Sequence, residues 1–147
     1  MSAQVVATLH SGFTVADAPR TAAFFRDCLG FEVAPAREAP EGALEPVVGL
    51  DDARALIIYV TAPGHVIELL EYRHPQSVTR AAPRPCDVGF AHLAFLVEDV
   101  RATVQAAAAF GFRPARSIGH IASGPHAGRS VVYLQDANGF TVELMGG

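Results

Sequence analysis

No run of lysine or arginine occurs in this chain, and its acidic residues outnumber its basic ones to give a net charge of −4. That balance leaves no electrostatic footprint for nucleic acid. No apolar run approaches membrane-spanning length, and the opening residues lack a basic region followed by an apolar stretch. The expectation is a soluble, cytoplasmic protein. Cysteine is scarce: Cys28 and Cys86 form no C-x-x-C pair and suggest no disulfide framework. Cys28 sits in an apolar helical pattern with Phe24, Phe25 and Leu29, whereas Cys86 falls in the proline-rich stretch Pro83-Arg-Pro85. Charged residues make up only 18% against 50% hydrophobic, a composition that excludes disorder. A chain of 147 residues then suffices for one domain with a proper core, or two small modules sharing one.

What the chain does have is an internal echo. His10-Ser-Gly-Phe-Thr-Val-Ala-Asp17 returns as His92-Leu-Ala-Phe-Leu-Val-Glu-Asp99. Gly64-His-Val-Ile-Glu68-Leu-Leu70 returns as Gly139-Phe-Thr-Val-Glu143-Leu-Met145. Smaller matches lie between, Leu29-Gly-Phe31 with Phe110-Gly-Phe112 and Pro35-Ala-Arg37 with Pro114-Ala-Arg116. Each half therefore opens on a strand carrying one histidine and closes on a strand carrying one glutamate.

Period-two alternation predicts a first strand over Val5 to Val15, with His10, Gly12 and Thr14 sharing one face. Asp17 caps a helix that tolerates Pro19 in its first turn and stops at Gly30. Phe31 to Arg37, Ala55 to Val60 and His65 to Glu71 read as further strands, with an irregular excursion over residues 38–53. The second half repeats the order: a strand over Phe90 to Val97, a helix capped by Asp99 and stopped at Gly111, then strands over Phe112 to Ile118, Arg129 to Leu134 and Phe140 to Met145. The predicted fold is α+β, a single domain spanning residues 1–147 and built from two tandem βαβββ modules. They cover about residues 1–72 and 90–147, with residues 73–89 as a proline-bearing linker. Gly119 to Gly128 reads as a long loop and a candidate lid.

Alternation also sets Glu68 among Val66 and Leu70, and Glu143 among Thr141 and Met145. An unpaired carboxylate in such surroundings costs several kcal/mol, which a cation would relieve. Two imidazoles and two carboxylates suit a divalent first-row metal, so His10, Glu68, His92 and Glu143 are the expected ligands of one ion per site: Zn, Ni, Co, Mn or Fe. His65 has the opposite strand parity to Glu68 and is expected to face away.

The strings His10-x-x-Phe-x-Val-x-Asp17, Phe24-Phe-Arg-Asp-Cys-Leu-Gly-Phe31, Ile67-Glu-Leu-Leu-Glu-Tyr72 and Tyr133-Leu-Gln-Asp-Ala-Asn-Gly-Phe-Thr-Val-Glu-Leu144 resemble the vicinal oxygen chelate superfamily. That group includes glyoxalase I, methylmalonyl-CoA epimerase, fosfomycin resistance enzymes, extradiol dioxygenases and bleomycin resistance proteins. The resemblance implies paired βαβββ modules curling as a barrel-like sheet around a metal cleft, usually in a homodimer. It carries the four ligand positions onto the same His10, Glu68, His92 and Glu143. Thr14 and Tyr72 stand where bacterial-type glyoxalase I has an arginine and an asparagine, which argues against glutathione recognition of that kind. They remain substrate-facing positions.

The expected activity is that of a metal-dependent lyase or isomerase. It would move a proton beside a carbonyl of a small oxygenated substrate, with Glu143, or else Glu68, as the base. Arg129, opening a strand after the candidate lid, is a further expected substrate contact. The alternatives are a non-catalytic small-molecule binding or resistance protein, and a metal-dependent ring-cleaving dioxygenase.

Overall fold

The computed structural model describes residues 4–76 and 82–147. Residues 77–81 of the expected linker lie outside the described residues. The chain divides into two units, Met1–Ser77 and Val78–Gly147. Each is a helix laid on one face of a mixed sheet, so the architecture is α+β with two tandem βαβββ-like modules.

In the first unit β1 (Ser11–Thr14) leads into α1 (Ala18–Ala23), which continues as a wider π turn over Phe24–Cys28. Asp17 Oδ1 accepts the Arg20 amide at 2.9 Å, the cap that its position before Ala18 predicts. Glu71, reaching from across the sheet, accepts the Ala18 amide at 2.8 Å. Gly30, with φ 73°, ends the turn. Then come β2 (Glu32–Val33), β3 (Arg37–Glu38), a short helix α2 (Glu45–Val48), β4 (Arg54–Ala62) and β5 (His65–His74). The sheet order is β1-β5-β4-β2, with β3 also on β4; β1 runs parallel to β5 and the other pairs are antiparallel.

The second unit repeats this with β6 (Leu93–Val97), α3 (Val100–Ala107), β7 (Arg113–Pro114), β8 (Gly119–His120), β9 (Ser130–Gln135) and β10 (Thr141–Gly146). Its order is β6-β10-β9-β7, with β8 also on β9, and β6 is the parallel edge. Asp99 Oδ1 accepts the Ala102 amide at 2.9 Å, matching Asp17. Gly111, with φ 86°, ends the helical turn as Gly30 does.

Alternation decides what each sheet face carries. Ile58, Val60, Ile67 and Leu69 are buried on the helix side with Phe24 and Phe25, and Val132, Leu134, Val142 and Leu144 are buried with Val100 and Phe112. Removing one of the buried phenylalanines would cost about 3–5 kcal/mol. Thr141, on the other face with Glu143, is buried with its hydroxyl satisfied, donating to the Gly139 carbonyl and accepting from Gln135.

Several strand limits depart from the sequence reading, among them β6, which begins at Leu93 rather than Phe90. The first strand begins at Ser11 rather than Val5, because the register Ser11↔Ile67 exhausts β5 about two residues further back. Val5, Val6 and Leu9 are consequently exposed. The expected strand over Phe31 to Arg37 is broken in two, with a one-residue slip in register against β4 across Ala34-Pro35-Ala36, where Pro35 has no amide to donate. The expected strand over Phe112 to Ile118 is reduced to β7, Arg113–Pro114. Gly119 and His120, expected to open a loop, instead pair with Val131 and Ser130, so residues 121–129 are the tip of a hairpin.

Candidate functional site

His10 lies one residue before β1, two residues from Gly12, which sits opposite Glu68 in the parallel register. His92 lies one residue before β6, two residues from Ala94, which sits opposite Glu143. The result is the same pair in each unit. His10 Nε2 stands 3.2 Å from Glu68 Oε2, and His92 Nε2 stands 2.9 Å from Glu143 Oε2. Side-chain exposure also matches, 34% and 16% in the first pair against 33% and 14% in the second. Both pairs lie on the sheet face turned away from the helix. A Cβ at Gly12 would meet Glu68 Oε2 at 3.4 Å, and Ala94 carries one at the matching place in the second unit.

The sequence pattern missed the residue that completes each pair. Tyr59 lies directly across from Glu68 on the antiparallel neighbour, and Tyr133 directly across from Glu143. The backbone confirms that they are equivalent, because Ala34 N–H donates to the Tyr59 carbonyl and Ala115 N–H to the Tyr133 carbonyl, each at 2.9 Å. Their hydroxyls differ. Tyr59 Oη donates to Glu68 Oε1 at 2.6 Å, whereas Tyr133 Oη lies 3.4 Å from His92 Nε2. The hydrogen bond to Glu68, then burial, then the charge of Glu68 hold the Tyr59 phenol above its usual range, with Arg37 opposing them. Burial, then the charge of Glu143, raise the Tyr133 phenol. Both hydroxyls therefore keep their protons at neutral pH. The Arg37 guanidinium lies over the Tyr59 ring, 5.4 Å from its centroid. In the second unit Tyr133 stacks instead on Phe90 and meets His92 at a tilt, at 6.1 and 4.8 Å between centroids.

The other expected site residues fall as follows. Thr14, exposed, is opposite Leu70, and Tyr72, half-buried, is opposite Ala55; both belong to the Glu68 face. Arg129 precedes β9 by one residue, in step with Val131 and Tyr133, and its Nη1 lies 3.2 Å from His126 Nδ1. His65 takes the opposite face, where its Nε2 lies 3.0 Å from Ser11 Oγ.

Two ligands bound at 2.0–2.2 Å and at right angles on one ion stand about 3 Å apart. The two His–Glu separations fit that requirement, and both donor types suit a divalent metal. Each unit supplies two donors. Among the described residues, no group of three or more His, Cys, Asp or Glu side chains is gathered to hold an ion.

Residues 7–144 match the model of the Glyoxalase/Bleomycin resistance protein/Dioxygenase superfamily. The chain belongs to that superfamily. It is 26% identical over 137 residues to a probable chloroplastic lactoylglutathione lyase of Arabidopsis thaliana, a match covering 93% of this chain and 35% of that protein. The chain thus spans about a third of that relative's length. A glyoxalase family protein from Bacillus cereus shares the fold with a TM-score of 0.80 at 17% identity, over 98% of this chain and 95% of the other. A glyoxalase I variant from Zea mays shares it with a TM-score of 0.62 at 20% identity, over 93% of this chain and 43% of the other. Within the superfamily this chain is a distant homologue of lactoylglutathione lyase. Among the described residues, no helix is long and apolar enough to cross a membrane.

Proposed function

We propose that the protein is a metal-dependent lyase or isomerase of the superfamily, with His10, Glu68, His92 and Glu143 holding one divalent ion. The observation that carries this reading is the repeated His Nε2–Glu Oε2 pair, at cis-ligand separation in both units. The ion, when bound, supplies Lewis acidity to two adjacent oxygens of a small substrate. Glu143 takes the proton from the carbon beside the substrate carbonyl and returns it to the product. Thr14 and Tyr72, on the Glu68 face, contact the substrate, and Arg129 meets an acidic group on it. The similarity to a lactoylglutathione lyase supports lyase chemistry. Thr14 and Tyr72 direct the search toward substrates other than glutathione adducts.

The two modules act as one functional domain, and the protein works as a homodimer, the commonest closed assembly. Mixing His10→Ala and Glu143→Ala chains tells whether each site is completed within one chain or by a second copy. Activity returns only if the four ligands come from two chains.

The test is to load purified protein with Zn, Ni, Co, Mn or Fe and screen hemithioacetals, acyl-CoA epimers and catechols. Deuterium from solvent should enter the product beside the carbonyl. Ligand binding without metal uptake would make this a binding protein instead. Oxygen consumption with iron would make it a dioxygenase.

A further inference from the structure

We propose that Tyr59 is a positioning residue that locks Glu68 into binding through a single oxygen, so that the two duplicated carboxylates do different work. The inference rests on the metal-site reading above and goes beyond it. Glu68 is held at both oxygens by different partners, Oε1 by the Tyr59 hydroxyl at 2.6 Å and Oε2 by His10 Nε2 at 3.2 Å. A hydroxyl donating to a carboxylate at that distance makes a strong, charge-assisted bond. Glu68 cannot swing Oε1 toward an ion or a substrate proton without breaking it. Arg37, on the neighbouring strand β3, holds the Tyr59 ring from above.

The second unit has the same tyrosine at the same register but lacks the lock. There the hydroxyl sits near His92 Nε2, and the ring is fixed by Phe90 and His92 rather than by an arginine. Among the described residues, Glu143 receives no hydroxyl hydrogen bond, and His92 faces only its Oε2. Glu143 is thus held at Oε2 alone, and its Oε1 is left to turn toward an ion or a substrate proton. Glu68 is a permanent ligand, which the symmetry of the sequence repeat conceals.

The experiment titrates Co(II) into the metal-free full-length chain and its Tyr59→Phe, Tyr133→Phe and Arg37→Ala variants. It reads affinity by chelator competition and coordination by the visible absorption of the ion. Losing a hydrogen-bond partner of a ligand weakens metal binding roughly tenfold or more, so Tyr59→Phe should do so while Tyr133→Phe changes affinity by about twofold or less. Tyr59→Phe should also alter the Co(II) spectrum as Oε1 enters the coordination sphere. Arg37 is exposed, so Arg37→Ala probes the lock with little risk to folding and should shift both readouts in the same direction. Wild-type affinity and spectrum in both Tyr59→Phe and Arg37→Ala would overturn the lock while leaving the metal reading intact. A wild-type chain that takes up no Co(II) would overturn both.

Discussion

Tyr59 donates its hydroxyl to Glu68 at 2.6 Å, while Tyr133, its counterpart in the second unit, leaves Glu143 without that bond. The two carboxylates should therefore respond differently to the same change. Glu143→Gln should lower turnover by about a hundredfold or more, the usual contribution of a general base, and the protein should still take up metal. Glu68→Gln should show its defect first in metal affinity. Steady-state kinetics beside metal analysis of each variant checks this, and full turnover by metal-loaded Glu143→Gln would contradict it.

The repeat was legible because its chemistry sits at matched places, His10 and His92 just before the first strand of each half and Glu68 and Glu143 within the last. Asp17 and Asp99 were legible for a similar reason, since a helix start needs an acceptor at one place. Tyr59 and Tyr133 were not, because in Ile57-Ile-Tyr-Val60 and Val131-Val-Tyr-Leu134 they read as part of an apolar strand. Only the pairing of strands showed that they face the glutamates. Their distances to the glutamates also differ by one, nine residues from Tyr59 to Glu68 and ten from Tyr133 to Glu143, so the repeat does not align them by spacing. The break at Pro35 and the late start of β1 depend on which neighbour each strand finds, information that lies outside the local pattern.

Gly146 is expected to tolerate no side chain. A Cβ there would lie 1.9 Å from the Val97 carbonyl oxygen on the neighbouring strand, a backbone atom that cannot step aside. Gly146→Ala should cost about 2 kcal/mol or more. At Gly119 the nearest atom would be 3.7 Å away, so Gly119→Ala should be much milder. Urea unfolding of both variants measures the difference, and equal midpoints would refute this packing.

Loss of the Asp99 cap leaves the Ala102 amide without its acceptor. Asp99→Ala should destabilise the protein by about 1 kcal/mol. Asp99→Asn should recover most of that, because an amide oxygen can accept the same bond. A midpoint identical to wild type for Asp99→Ala would argue against the cap.

The thiols should react at different rates. Cys86 is exposed, whereas Cys28 is half-buried and its thiol is pushed above the usual range by burial. A thiolate-dependent reagent at mildly alkaline pH should label Cys86 first and Cys28 slowly. Cys86→Ser should remove the fast phase, and its survival would contradict the placement of both residues.

Whether both His–Glu pairs serve one ion is decided by equilibrium dialysis of metal-free protein against Zn or Co. Uptake should reach about one ion per chain and be lost on replacing any one of His10, Glu68, His92 or Glu143 with alanine. Absence of uptake by the wild-type chain, or full uptake after the pair of either unit is replaced, would contradict a shared ion.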